Sequence, residues 1–311
     1  MISSVFSNFL TFVAGPWSSL WFAGNTLDYM ALLLCASLGS AFAFRCGLFN
    51  LGLEGQIYTG GLAATCAMLF LPPSCPPFVL LSAAAAAACI TGALAGLFCA
   101  FLKNISGADV LISSFLLSAS LTPVADYLIA GPLRGDEGNL LATARFNVVL
   151  PHILPPSHLT LSLIFSLLLC AAAYVFISKT GAGYRFHIAG YSPAFARYGG
   201  IDAAAYYGPA LGLSGALGGL CGFFAVAGTY GLCYQGFSGG LGWAGISVAL
   251  IARNRFLVLI PASLFYAALK SGIEQILLSS VMSFEASYLI QAVILISAAV
   301  KFPVRTLKRR I

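Results

Sequence analysis

Charge is what this sequence has least of. Only 8% of its 311 residues are charged, nine acids and fifteen bases, where soluble domains carry about a quarter. So few charges cannot cover a water-soluble surface, and a soluble globular fold is excluded. No Cys-x-x-Cys pair occurs among the nine cysteines, and Cys35, Cys66, Cys89, Cys99, Cys170 and Cys221 lie inside apolar runs. A disulfide framework is therefore not expected, and the thiols read as small apolar packing residues. The three histidines, His152, His158 and His187, are scattered over two loops, so no structural metal is expected. Gly-x-x-x-x-Gly-Lys-[Ser/Thr] is also missing, which removes the P-loop route to ATP hydrolysis. No Ser/His/Asp or Cys/His set has a plausible pocket, so a membrane-embedded enzyme has nothing to work with. The first residues lack the basic stretch of a signal peptide. Residues 1–25, broken by Gly15, Pro16 and Gly24, read as a weak first span.

What is there is apolar. Hydrophobic residues make up 60% of the chain, and the mean hydropathy is +0.95. At about 20 apolar residues per crossing, the expected fold is an all-α polytopic membrane protein of about nine to ten transmembrane helices. Spans are predicted at 27–45, 51–71, 78–102, 109–130, 159–178, 206–229, 234–252, 256–270 and 286–300. Asp28 falls at the edge of the first of these. Pro72, Pro73, Pro76 and Pro77 mark a turn, and Gly92-x-x-x-Gly96 offers a surface for close helix packing. The chain reads as one transmembrane domain: an N-terminal half 27–178, a polar basic segment 179–205, a C-terminal half 206–300 and a basic tail 301–311.

Sidedness follows from the bases. Alternating spans place Arg45, Lys103, the 179–205 segment, Arg253, Arg255 and the tail on one side. That side holds twelve of the fifteen bases, and only Arg134, Arg145 and Lys270 fall opposite. It is expected to be cytoplasmic, with the carboxyl terminus there and the protein in the inner membrane. The partition requires 234–252 to make a full crossing. It also gives the net charge of +6 a topological meaning, so no nucleic-acid partner is inferred.

Two segments are too polar and too rich in glycine for smooth lipid-facing helices. One runs from Gly47 to Gln56 and contains Asn50, Glu54 and Gln56. The other runs from Gln235 to Gly245 and contains Phe237, Ser238, Gly239, Gly240, Gly242 and Trp243. Broken backbone at membrane depth persists only where protein or a wet cavity satisfies it, and an acid there needs a partner. Both segments are candidate linings of a translocation path. For Glu54 two roles are weighed: capping backbone amides near Arg45, or touching the solute. If the stretch is helical, Asn50 and Glu54 share one face. Gly47-Leu-Phe-Asn and Gly231-Leu-Cys-Tyr are loosely alike and come in from opposite sides, a pattern of inverted halves in transporters. Gly240-Leu-Gly-Trp-Ala-Gly245 fits Gly-x-Gly-x-x-Gly but has neither strand nor acid around it, so no dinucleotide site is inferred.

Four motifs in order resemble the permeases of ABC importers of the simple-sugar and nucleoside type, within the broad branched-chain amino-acid permease family. They are Gly47–Gln56, Ser106-Gly-Ala-Asp109-Val, Gly183–Ile201 and Gly242–Asn254. Departures occur at Ala108-Asp109, at Arg255-Phe256, and at the bulky Phe186 and Ile188. The resemblance implies a coupling loop at Gly183, Arg185, Gly190, Pro193, Arg197, Tyr198 and Gly200. It implies separate ATPase subunits that hold ATP and Mg, a second permease subunit, identical or related, and an extracytoplasmic binding protein. This chain itself would bind no cofactor. The implied solute is a nucleoside or simple sugar carried by alternating access, with riboflavin as the alternative. A different class, a proton- or sodium-coupled carrier using Asp109, Asp126 or Glu54, has no use for the Gly/Pro pattern at 183–200. The outer loop at Gly131–Asn139 could meet a binding protein by charge, though any solvated loop reads the same.

Overall fold

The computed structural model describes residues 11–279, except Pro73, and also Ala292. The predicted span 286–300, apart from Ala292, and the tail 301–311 lie outside the described residues. After a 3-10 turn at Gly15–Trp17 come α1 (Leu20–Arg45), α2 (Leu53–Phe70), α3 (Pro77–Ser106), α4 (Val110–Ala130) and α5 (Ser162–Lys179). Two short helices follow, α6 (Gly181–Tyr191) and α7 (Pro193–Tyr198). Then come α8 (Ala204–Phe224), extended by a π-helical turn at Ala225–Tyr230, α9 (Leu241–Ile251) and α10 (Phe256–Ser279). Among the described residues, six helices are long and apolar enough to cross a membrane: α1, α3, α4, α5, α8 with its π turn, and α10. The chain is a multi-pass, all-helical membrane protein.

Burial sorts these helices into two layers. The apolar stretches of α1 and α8 are 83% and 78% buried, whereas those of α3, α4 and α5 are 22%, 22% and 28% buried. The first pair, with α2, forms the centre, and the second group presents its apolar surface outward. The approach of α3 to α8 depends on missing side chains. A Cβ on Gly92 would collide with the Gly215 carbonyl, and one on Gly215 with the Gly92 carbonyl. The small-residue surface predicted at Gly92 and Gly96 thus meets the glycine face of α8.

Different groups gather at the two ends of the bundle. At one end the Arg45 guanidinium donates to the Asn254 carbonyl (2.9 Å), and the Lys103 ammonium lies 5.2 Å from the Tyr207 ring centre. At the other, the His158 N–H donates to Asn25 Oδ1 (2.9 Å), and the 131–160 segment hydrogen-bonds Ala227, Gly231 and Cys233.

Several boundaries differ from expectation. Residues 1–10 of the predicted first span 1–25 lie outside the described residues, and α1 already starts at Leu20 with its N-cap at Ser19. Asp28 is consequently not at an edge but in the third turn of α1, only 3% exposed. The last described helix runs past Lys270 to Ser279, since Lys270 pairs with Glu274 one turn on. The 234–252 stretch does cross, but only its second part is helical. With 11 residues, α9 spans about 16 Å, half the hydrocarbon thickness.

Candidate functional site

The interrupted crossing is built from glycine. Gly231 ends the π turn with φ +68°, and Gly236, Gly239 and Gly240 also have positive φ, a region L side chains avoid. The resulting loop, 231–240, reaches inward from the end opposite Arg45 and delivers the start of α9 to the middle of the bundle. There the first N–H groups of α9 lack an intrahelical acceptor.

Glu54, in the first turn of α2, supplies one. Its Oε1 accepts from the Ser238 hydroxyl (2.6 Å) and the Gly240 N–H (3.1 Å), and its Oε2 from the Gly242 N–H (2.6 Å). A carboxylate at a helix N-terminus is favoured by the helix dipole, by up to about 2 kcal/mol when partly buried. Gly242 allows this approach, because a side chain there would strike the Glu54 backbone. A second tether comes from α2 and α4. The Gly236 N–H donates to the Tyr58 hydroxyl (2.7 Å), which donates to Asp126 Oδ1. Both acids considered for ion coupling deep in the bundle are therefore spent on holding one loop. Asp109 instead caps α4, accepting from the Leu111 N–H (2.9 Å).

Asn50 and Gln56 are placed elsewhere. Asn50 precedes α2, whose N-cap is Gly52, so it shares no helical face with Glu54. Its amide donates to Gln56 Oε1 (3.0 Å) and Ser214 Oγ (2.9 Å), and its Oδ1 accepts from the Gly52 N–H (2.9 Å). Both side chains are buried. Trp243 turns outward, 44% exposed, against Phe115 of α4. Phe237, Ser238, Gly239 and Gly240 line a cavity of about 480 Å³. Sequence reasoning missed its other walls: Tyr29, Tyr230, Tyr234, Tyr266, Lys270 and Glu274. The available signal was Lys270 and Glu274 four residues apart inside an apolar run.

At the Arg45 end, the 179–205 segment folds as α6 and α7, divided at Ser192, whose hydroxyl accepts from the Phe195 N–H (3.3 Å). Gly183 packs on the Phe176 backbone, so α6 bends sharply back from α5. Gly190 lies against the Arg45 and Cys46 backbone, where any Cβ would clash. Phe186, one of the bulky departures from the family pattern, points inward, buried against Phe42, Phe176 and Tyr206. The outward face shows Tyr184, Tyr191, Phe195 and Tyr198 beside Arg185 and Arg197. Pro193 starts α7, and Gly200 closes the turn after it with φ +70°.

Comparison with known proteins matches residues 22–299 to the model of the family described as branched-chain amino acid transport system / permease component. The "Probable riboflavin import permease protein" of Treponema pallidum (strain Nichols) is 34% identical over 312 residues, covering 96% of this chain and 80% of the relative. A glucose ABC transporter permease of Haloferax volcanii is 31% identical, covering 77% and 66%. A guanosine ABC transporter permease of Bacillus subtilis (strain 168) is 26% identical, covering 97% and 88%. No solved structure matches the chain significantly.

Proposed function

We propose a working cycle for a chain that belongs to the branched-chain amino acid transport permease family and is the membrane-spanning permease subunit of an ABC importer. The Arg45 end faces the cytoplasm of an inner-membrane importer, as the clustered bases suggest, and the tail lies on the same side. ATP and Mg sit on separate ATPase subunits, and this chain binds no cofactor. A second permease, identical or related, completes the path, and a binding protein delivers solute to the opposite end. The solute is a nucleoside or simple sugar. Riboflavin is a second reading, favoured by the relative named for it that aligns over 96% of the chain.

One observation carries the mechanism: α6 is joined to the end of α1 by backbone contact at Gly190, and α1 is joined to the end of α9 by Arg45 and Asn254. A push on α6 and α7 from a closing ATPase dimer therefore reaches α9 without passing through flexible side chains alone. The start of α9 is held by Glu54 next to the cavity. Moving the half-helix relative to α2 opens or shuts that floor, which is alternating access by a rigid element about a fixed site. The exposed tyrosines and arginines of α6 and α7 have the composition of an interface core, and Gly183, Gly190 and Gly200 shape the surface they stand on.

The test is Gly190→Leu, assayed with the assembled complex in proteoliposomes. Expected is a chain that inserts and retains its ATPase partners but loses uptake more than tenfold. Tyr198→Ala is the companion. Tyr198 is 93% exposed, so its loss leaves the fold alone but weakens ATPase co-purification. Unchanged uptake and unchanged co-purification would sink the coupling role.

A further inference from the structure

The outer layer of the bundle is not closed everywhere over the central helices. Between α3 and α4 a groove of about 240 Å³ reaches down to α2. Its floor is α2 at Thr59, Ala63 and Cys66, one side is α3 at Thr91, and the other is α4 at Leu121 and Leu128. Between Gly55 and Thr65, Thr59 and Ala63 are the positions of α2 that are not buried. The helices on either side turn Ile90, Leu94, Leu116 and Val124 outward, so the groove opens on the hydrocarbon of the bilayer.

Its lining is unsuited to a polar occupant. The Thr59 hydroxyl donates to the Gly55 carbonyl (2.7 Å) and the Thr91 hydroxyl to the Ala87 carbonyl (2.9 Å), so both are spent within their own helices. An ordered water needs about two to four polar partners and is short of them here. Left empty, the groove forfeits the dispersion contacts of its lining. What fills it is therefore hydrocarbon. From Thr59 to Cys66 the floor is about 10 Å long, which gives the space a mean cross-section of about 24 Å². A helix with its side chains is about 10–12 Å across, more than about three times that area. A helix of a second subunit is too thick, whereas one extended acyl chain fits.

The same seam ends in a polar group. One turn beyond Cys66, Leu69 borders a second space of about 100 Å³, and so does Leu80, three turns before Thr91 on the same face of α3. Arg145 closes that space from the 131–160 segment, at the end opposite Arg45. Its Nε pairs with Glu137 (3.2 Å), and its side chain is 67% exposed. Its terminal N–H groups have no partner among the described residues and suit a phosphate. From Leu69 down to Thr59 is about 15 Å, one leaflet of a hydrocarbon core about 30 Å thick.

We propose that the seam between α2, α3 and α4 is a phospholipid site. One acyl chain lies in the groove against Ala63 and Cys66, and the phosphate meets the free N–H groups of Arg145. The site is separate from the cavity beside α9 and independent of the solute carried.

The experiment places the assembled complex in bilayers containing a phospholipid with a diazirine midway along one acyl chain. The complex is moved into mild detergent to remove bulk lipid, illuminated, and its adducts mapped by mass spectrometry. Ala63, Cys66 and Leu121 should be labelled at least fivefold more than Ile90 and Leu94. Ala63→Phe fills the groove and should cut the label at Cys66 and Leu121 at least fivefold. Thr91→Phe fills it from the other side and reads the same if Ala63→Phe does not assemble. Arg145→Ala should lower groove labelling about threefold. A diacylglycerol with the same diazirine but no phosphate should label the wild type equally weakly. Groove labelling no stronger than that of Ile90 and Leu94, or unchanged in both phenylalanine variants, overturns the site. Equal labelling by the two probes, or full labelling of Arg145→Ala, overturns the phospholipid assignment. An oxidative cross-link between two copies that disappears in Cys66→Ser gives the groove to a second permease and overturns the proposal as well.

Discussion

Among the described residues, the helical run is interrupted inside the bundle at 46–52 between α1 and α2 and at 231–240 before α9, and the two breaks are built differently. The first has a single positive-φ glycine, Gly47, and is sealed around the buried Asn50, with the Leu51 N–H donating to Ser114 Oγ of α4 (3.0 Å). Asn50 bonds to Gly52 within the break, to Gln56 just beyond it and to Ser214 of α8. The second has four positive-φ glycines, three of them with open space where a side chain would be. It is held by groups from elsewhere, Glu54 and the Tyr58–Asp126 pair. The first break is a packed joint and the second a tethered one. A joint sealed by a buried polar cluster shared with α4 and α8 must move with them as a unit, whereas a tethered loop moves as soon as its tethers shift. In the proposed cycle, that asymmetry puts the compliant part of the permease at the loop and the start of α9, with α2 as the frame they move against.

Cutting the main tether tests this most severely. Glu54→Ala leaves the Ser238 hydroxyl and two N–H groups without their acceptor, at a cost of about 1–3 kcal/mol each where no water replaces it. Uptake should fall to below about a tenth of wild type, a loss worth about 1.4 kcal/mol or more, with the rest of the bundle still folded. Hydrogen exchange of the purified complex should rise at 236–243 and stay unchanged at 46–52. Glu54→Gln keeps one acceptor oxygen and should fall between. Equal exchange in both segments would erase the distinction between them.

The packed joint should respond in the opposite manner. Asn50→Leu removes two donors and one acceptor from a buried cluster, leaving Gln56 Oε1 and Ser214 Oγ to find other partners. The expected cost is about 2–3 kcal/mol of stability, read as a lowered melting temperature and a smaller yield of folded chain. The molecules that do fold should transport with an unchanged KM. A raised KM with normal stability would mean that Asn50 faces solute and that the first break is no joint.

How far the sequence foretold this depends on which signal each feature left. Low charge and long apolar runs made the helices legible, and α4, expected at 109–130, runs from Val110 to Ala130. Glycine density marked both breaks, since few other residues tolerate those φ values. It did not say that only 11 residues of the 234–252 crossing are helical, because hydropathy sums over a window and is blind to where hydrogen bonds stop. Glu54 was singled out as an acid in a span, but its partners lie 184 and more residues away, a separation no local pattern encodes. The cavity tyrosines were illegible for the same reason. Each sits singly in an apolar helix or loop, and only the packing of α1, α8 and α10 brings them together. The shared helical face for Asn50 and Glu54 was conditional on a helix through 50–54, and the helix begins only after Gly52.

The smallest expected effect concerns what the packed joint is bolted to. His187 lies on α6, one turn before Gly190, and its Nδ1 is buried without a hydrogen-bond partner among the described residues. Burial, and then the positive charge of Arg45, push its pKa below the ordinary value of 6.5. The sign follows from that depression. Well above pH 6.5 the ring is neutral in docked and undocked α6 alike, and docking carries no penalty. As pH falls through 6.5, undocked α6 takes up a proton that the docked ring resists, so docking weakens until the pH is below the lowered value as well. The ring is partly open to water, which screens the effect, so a change of about a degree or two in melting temperature is the scale to expect. The comparison is wild type against His187→Gln between pH 8 and pH 5. The wild type should lose more stability on acidification, and α6 and the adjoining 45–47 backbone should gain hydrogen exchange while 236–243 does not. If acid loosens 236–243 first, the mobile element is coupled to α6 by a route other than Gly190 and Arg45. Superimposable curves for the two proteins would mean that His187 releases its contact with the joint without cost.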